Sequence, residues 1–162
     1  MDIKGSVVEV QLGILEQVIG RELKVSALYE KFAEHFPEQQ ALWSGLAKEE
    51  QGHANLLREM KDFIRQGHFL WNMGKLKGEI YQDEDDLIAD SELKLRLRRL
   101  DAAGALNVAI HIENSLFDSK FYDIVNCELP EFQQMAADLR RDEEHHMNRL
   151  KEAVVAFAGS QG

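Results

Sequence analysis

Four stretches of the chain repeat apolar residues at helical spacing. In the first, Val8, Leu12, Leu15, Ile19, Glu22, Ser26, Tyr29, Ala33 and Phe36 share one stripe that ends before Pro37. The second carries Leu42, Leu46, Glu50, His53, Leu57, Met60 and Ile64, with Gly67 as its stop. The third follows Asp101, a good N-cap, and shows Leu106, Ala109, Ile110, Glu113, Leu116, Phe117 and Ile124. The fourth opens at Pro130 and continues through Phe132, Ala136, Leu139, Glu143, His146, Leu150, Val154 and Phe157. The spacing predicts helices over about 5–36, 38–66, 102–127 and 130–158.

The turns near 36–37 and 127–130 are short, so each pair of helices is expected to be an antiparallel hairpin. Between the pairs runs a crossover over 67–101. Its first half, around Phe69, Trp71 and Met73, is aromatic and suits a cap on the bundle or a dimer contact. Its second half is charged and has room for a short helix, although the run Asp83 to Asp86 reads as a solvated loop. The expected architecture is all-α: one domain over 1–162, built as a four-helix bundle of two antiparallel hairpins joined by a long crossover.

Six residues break the apolar stripes: Glu22, Glu50, His53, Glu113, Glu143 and His146. Four of them belong to a pattern written twice, FPEQQALWSGLAKEEQGHANLL and LPEFQQMAADLRRDEEHHMNRL. Aligned on Pro37 and Pro130, the copies set Glu50 on Glu143, His53 on His146 and Leu46 on Leu139. Glu and His three residues apart share one helix face, so both reach one centre. A lone Glu-x-x-His is weak in a chain this rich in Glu, but two register-matched copies, each preceded by a core Glu, are specific. The register also settles a choice: His145 falls on Gly52 and leaves the stripe, whereas His146 stays on it.

A buried, unpartnered carboxylate costs several kcal/mol, so six such groups in one core require compensation. Two divalent ions balance four carboxylates, and neutral imidazoles complete the coordination. Oxygen and nitrogen donors without thiolate suit iron or manganese, with zinc possible. Tyr29 lies two turns after Glu22 on the same face, placed to bond a ligand or simply to fill the core. His35 and His111 lie off the stripes and read as surface residues; His68 has no clear partner. Cys127 falls in a turn and reads as a bystander.

Composition narrows the picture. A net charge of -10 argues against nucleic-acid binding and against attraction to anionic membrane. The single cysteine excludes an intramolecular disulfide and any Cys-based metal site within one chain. The start, MDIKGSVVEVQLGIL, lacks the pattern of a secretion signal, and no stretch reads as a membrane span. A soluble, cytoplasmic protein is expected.

Both hairpins resemble the ferritin-like superfamily, in particular its rubrerythrin and bacterioferritin branch. That pattern is one Glu, then Glu-x-x-His, then one Glu, then Glu-x-x-His, matched here by Glu22, Glu50 with His53, Glu113, and Glu143 with His146. The resemblance implies two irons bridged by Glu50 and Glu143, one held also by Glu22 and His53, the other by Glu113 and His146. It implies a tyrosine seven residues after the first Glu, matched by Tyr29, and a habit of pairing bundles, hence a homodimer. Departures narrow what it implies. The four cysteines of a rubredoxin-like site are missing, so electrons would come from an external, rubredoxin-like donor. The extra carboxylate of rubrerythrins beside the third-helix Glu is missing too: the neighbours of Glu113 are Ala109, Ile110, Leu116 and Phe117. Gln51 stands where bacterioferritin has its haem-ligating Met, so no haem is expected. The activity implied is reduction of peroxide or dioxygen. The alternatives are ferroxidase-like iron buffering and a di-iron hydroxylase or oxidase of an organic substrate.

Overall fold

The computed structural model describes residues 3–68, 82–118 and 127–162. All regular structure among the described residues is helical: α1 (Ile3–His35), α2 (Gln40–Arg65), α3 (Gln82–Arg96), α4 (Ala102–Asp118) and α5 (Pro130–Ser160). No helix among these residues is long and apolar enough to cross a membrane.

The helix ends follow the local chemistry of the chain. Pro37 cannot donate a backbone hydrogen bond, and it opens a single 3₁₀ turn, Pro37–Gln39, rather than α2 itself, which begins three residues later. The turn reverses the chain and lays α2 along α1, where the Ser26 hydroxyl donates to the Ala47 carbonyl at 2.8 Å. Gly67 ends α2 in the left-handed conformation, φ 98°, that glycine adopts at little cost. Asp101 caps α4 by accepting from the Gly104 amide at 2.7 Å. Leu129 is extended, and Pro130 starts α5.

Two departures from expectation concern the connections between helices. The acidic run from Asp83 to Asp86 is not a loop; it forms the first turn of α3, where carboxylates complement the helix dipole. Glu84 in that run is buried, and α3 packs through Ile88 and Leu95 onto the apolar cluster shared by α1, α2, α4 and α5. Second, the helix expected to reach 127 does not: Cys127 is buried but non-helical, and its carbonyl accepts from Gln133. Phe69, Trp71 and Met73 lie outside the described residues.

The core falls into two apolar layers. One gathers Leu15, Val18 and Ile19 with Leu57, Met60, Ile64, Phe132 and Leu139. The other gathers Val25, Leu28, Tyr29 and Phe32 with Trp43, Leu46, Leu106, Ile112 and Leu150. Along α1, α2 and α5 the residues between these layers are Glu22, Glu50 with His53, and Glu143 with His146. The polar groups therefore sit in the middle of the interior, sealed above and below by packed hydrocarbon.

Trp43 anchors the second layer: it is fully buried, edge-on to Phe32 at 4.9 Å, with its Nε1 donating to Gln39 at 3.1 Å. Trp43→Ala is expected to cost about 3–5 kcal/mol of stability in urea denaturation of the metal-free protein. A loss below about 1 kcal/mol would contradict this packing.

Candidate metal centre

All six stripe-breaking residues converge. Glu22 and Glu50 have no solvent exposure, and Glu113, His53, Glu143 and His146 are 2%, 4%, 3% and 0% exposed. Glu50, His53, Glu143 and His146 each offer a ligand atom within 4.8 Å of the others, so this cluster could hold a metal ion. Glu22 and Glu113 flank it from α1 and α4.

The geometry divides the cage into two halves. His53 Nδ1 faces Glu22 Oε2 at 3.6 Å, Glu50 Oε2 at 3.4 Å and Glu143 Oε1 at 3.5 Å. His146 Nδ1 faces Glu50 Oε1 at 3.0 Å, Glu113 Oε2 at 3.7 Å and Glu143 Oε2 at 4.0 Å. Glu50 and Glu143 thus turn one oxygen to each half, while Glu22 and Glu113 serve one half apiece. The two imidazoles stack at 5.1 Å.

Which atoms already have partners is more telling than the convergence. The Oε1 of Glu22 accepts from Arg21 Nη1 at 2.9 Å, and the Oε1 of Glu113 accepts from the Tyr29 hydroxyl at 2.6 Å. The inward atoms have none: Glu22 Oε2, both oxygens of Glu50, Glu113 Oε2, and the Nδ1 atoms of His53 and His146 lack any hydrogen-bond partner. Buried polar atoms are normally satisfied, so a set of orphans that all face one another marks a site shaped for cations. The donor set, carboxylate with imidazole and no thiolate, fits divalent iron, manganese or zinc.

The outer face of the His146 imidazole is held as well. His146 Nε2 lies 2.8 Å from Glu49 Oε2, and Arg149 grips the same carboxylate. Asp142 Oδ2 stands 3.6 Å from His53 Nε2. A carboxylate behind the imidazole orients the ring and leaves its other nitrogen free for a metal. Burial opposes the charge on Glu49, but Arg149 and His146 overrule it and hold its pKa below the usual value.

Tyr29 reaches the carboxylate of α4 rather than Glu22 on its own helix. Burial and the Glu113 charge push its pKa well up, so it stays a donor. His35, His111 and His145 are exposed, as their positions off the stripes implied. His68, expected to lack a partner, instead lies 3.0 Å from Glu128. The residues missed by sequence reasoning are Arg21, Glu84, Glu49 and Asp142. The last two carried a signal: each immediately precedes the Glu of one repeat and faces the His of the other copy, within hydrogen-bond reach for Glu49 and at 3.6 Å for Asp142.

Comparison with protein-family models, with curated proteins and with solved structures found no match to this chain.

Without metal, the cage traps protons. Burial disfavours charge on His146, yet the facing carboxylates of Glu113 and Glu50 prevail and lift its pKa to about 11. Burial likewise opposes charge on His53, and Glu143, Glu22 and Glu50 raise it further still. Burial, then the neighbouring carboxylates, drives Glu50 up to about 7 and Glu143 well above its ordinary value. These groups bind protons more tightly folded than unfolded, so each lowers stability as pH rises from its ordinary value, 4.5 or 6.5, towards its folded one. Glu22 and Glu113 are lowered, and their contributions are already complete above pH 4.5. The metal-free protein is therefore expected to lose thermal stability steadily from pH 5 to pH 9. Metal uptake at pH 7 should release roughly three protons, read by calorimetry in buffers of different ionisation enthalpy. Uptake with no proton release would rule out this description of the cage.

Proposed function

We propose that this chain is a ferritin-like, rubrerythrin-type di-iron protein, with α1, α2, α4 and α5 as the four helices of the bundle and α3 lying in its crossover. Its activity is oxidoreductase: reduction of peroxide or dioxygen by two ferrous ions, with electrons restored by a separate protein donor. The observation that carries this reading is the set of orphaned, inward-facing atoms on Glu22, Glu50, His53, Glu113 and His146, which together with buried Glu143 fall into two halves. Glu50 and Glu143 would span the two ions. Glu22 with His53 would complete one position, and Glu113 with His146 the other.

Iron, when bound, would supply the redox chemistry, a change of one electron at each ion. The chain supplies the rest. Arg21 and Tyr29 each occupy one oxygen of a terminal carboxylate, leaving a single oxygen on Glu22 and on Glu113 for metal. Monodentate carboxylates leave coordination positions open for an exogenous ligand. The two apolar layers exclude bulk water, while a cavity of about 360 Å³ between α4 and α5 borders Glu113 and Glu143. Through it a small oxidant reaches the centre.

A second reading is iron buffering of the ferroxidase type. That cavity is lined by Glu144 as well as the two site carboxylates, three acids against Lys151, which favours uptake of a cation from solvent.

Anaerobic loading with Fe(II) should give about two irons per chain on this ligand set. Glu50→Ala and His146→Ala variants should each lose at least one of them; full metal content in either would sink the ligand assignment. Stopped-flow mixing of the ferrous protein with peroxide and with dioxygen then separates the readings. Faster oxidation by peroxide, with re-reduction by a rubredoxin-like donor, supports the reductase. Faster oxidation by dioxygen, with ferric iron accumulating or leaving, supports the buffer.

A further inference from the structure

Beside the cage lies a second buried electrostatic feature, which the ligand set does not require. Arg21 is 3% exposed, deep between α1, α3 and α4. Its Nη1 donates to Glu22 at 2.9 Å, its Nη2 to the Ile112 carbonyl at 3.0 Å, and its Nε to Glu84 Oε2 at 3.2 Å. The side chains of Arg21, Glu22 and Glu84 are 2%, 0% and 2% exposed, so water screens none of them. Glu84 comes from α3, the crossover helix, and Ile112 directly precedes Glu113. One guanidinium thus touches a carboxylate of one half of the cage and the backbone beside a carboxylate of the other.

Purely as a structural ion pair, this arrangement is poorly explained. Buried pairs are often no more stabilising than apolar side chains of the same volume. Here, moreover, the arginine faces two carboxylates, and one of them is a cage residue whose other oxygen has no partner. A fixed charge at this distance acts on whatever cation the cage holds, and it does so in a medium of low dielectric constant.

We propose that Arg21 and Glu84 form a charge-setting pair in which Arg21 restricts Glu22 to one free oxygen and Glu84 offsets the guanidinium charge, so that the crossover helix sets the affinity of the cage for divalent cations and the reduction potential of bound iron. This rests on the metal-binding reading above. It makes Arg21 and Glu84 positioning residues: neither need touch a metal. Removing Glu84 leaves the guanidinium uncompensated, which disfavours cations and favours the reduced state of iron. Removing Arg21 strips a positive charge from the cage wall and frees the second oxygen of Glu22, with the opposite effect.

The test is Mn(II) binding, counted from the EPR signal of free Mn(II), on the full chain and on Glu84→Gln, Arg21→Gln, Arg21→Lys and Arg21→Gln/Glu84→Gln. Glu84→Gln is expected to weaken binding roughly tenfold, and Arg21→Gln to tighten it by a similar factor. The double variant should return to within about threefold of the wild type, and Arg21→Lys, which keeps the charge, should lie nearer the wild type than Arg21→Gln does. With iron bound, the potential should rise in Glu84→Gln and fall in Arg21→Gln. A structural role alone would weaken binding in every variant or in none, and either pattern overturns the proposal. If Arg21→Gln does not fold, the double variant must recover the affinity that Glu84→Gln lost; failure to recover it is equally decisive against the pair. Wild-type protein that takes up no Mn(II), Fe(II) or Zn(II) would overturn the metal reading itself, and this proposal with it. Normal wild-type uptake with no opposed shifts overturns only the pair.

Discussion

Everything in this structure answers to one constraint: four carboxylates and two imidazoles share an interior almost wholly withdrawn from water. Desolvation and mutual repulsion each work against ionising such a cluster, and together they exceed what ordinary hydrogen bonds return. Folding proceeds only with compensation, by protons held on His53, His146, Glu50 and Glu143, or by cations in their place. The two apolar layers on either side make the problem harder, because they remove the solvent that would otherwise screen it. They also make the solution specific, since a cation entering such a site meets donors that already have nowhere else to turn.

The protein meets that constraint by deciding, atom by atom, which lone pairs remain available. Arg21 and Tyr29 take the outer oxygens of Glu22 and Glu113, and Glu49 takes the outer nitrogen of His146. What remains on these three residues faces inward. A cluster of acids drawn together by chance would show orphans pointing in every direction; here the orphaned carboxylate oxygens and Nδ1 atoms face one another across a few ångströms. That difference separates a built site from a patch of buried charge.

Much of this was legible in the sequence because helical periodicity turns position into direction. Glu22, Glu50, Glu113 and Glu143 could be assigned to the interior since each replaces an apolar residue in a stripe, and the repeat register chose His146 over His145. Arg21 was not legible for the same reason: it neighbours Glu22 in sequence, one position off the stripe, and an off-stripe arginine reads as solvated. It is buried because α3 covers it, and α3 was hidden in an acidic run whose composition suggested a loop. Periodicity along one helix cannot report what a distant segment will lay across its flank. The Tyr29 hydroxyl is a milder case, for its burial was readable but its bond to Glu113 of α4 depended on how the helices meet.

The doubled motif also produces an asymmetric centre. Glu49 and Asp142 occupy equivalent positions in the two copies and face the imidazole of the other copy, at 2.8 Å and 3.6 Å respectively, so the symmetry survives behind the histidines in placement though not in bonding. It fails behind the flanking carboxylates. The residue before Glu22 is Arg21, whereas the residue before Glu113 is Ile112, which contributes only a carbonyl to the same guanidinium. A full positive charge therefore bonds directly to the Glu22 half, while the Glu113 half receives a neutral phenol. Two cations held by identical ligand types would meet different fields, and the one beside Glu113 would be held by the more electron-rich carboxylate. The cavity between α4 and α5 opens beside that same carboxylate. A symmetric repeat thus gives each half of the cage the same ligands, and Arg21, bonded to the carboxylate of one half alone, makes the half nearer the opening chemically distinct from the one behind it.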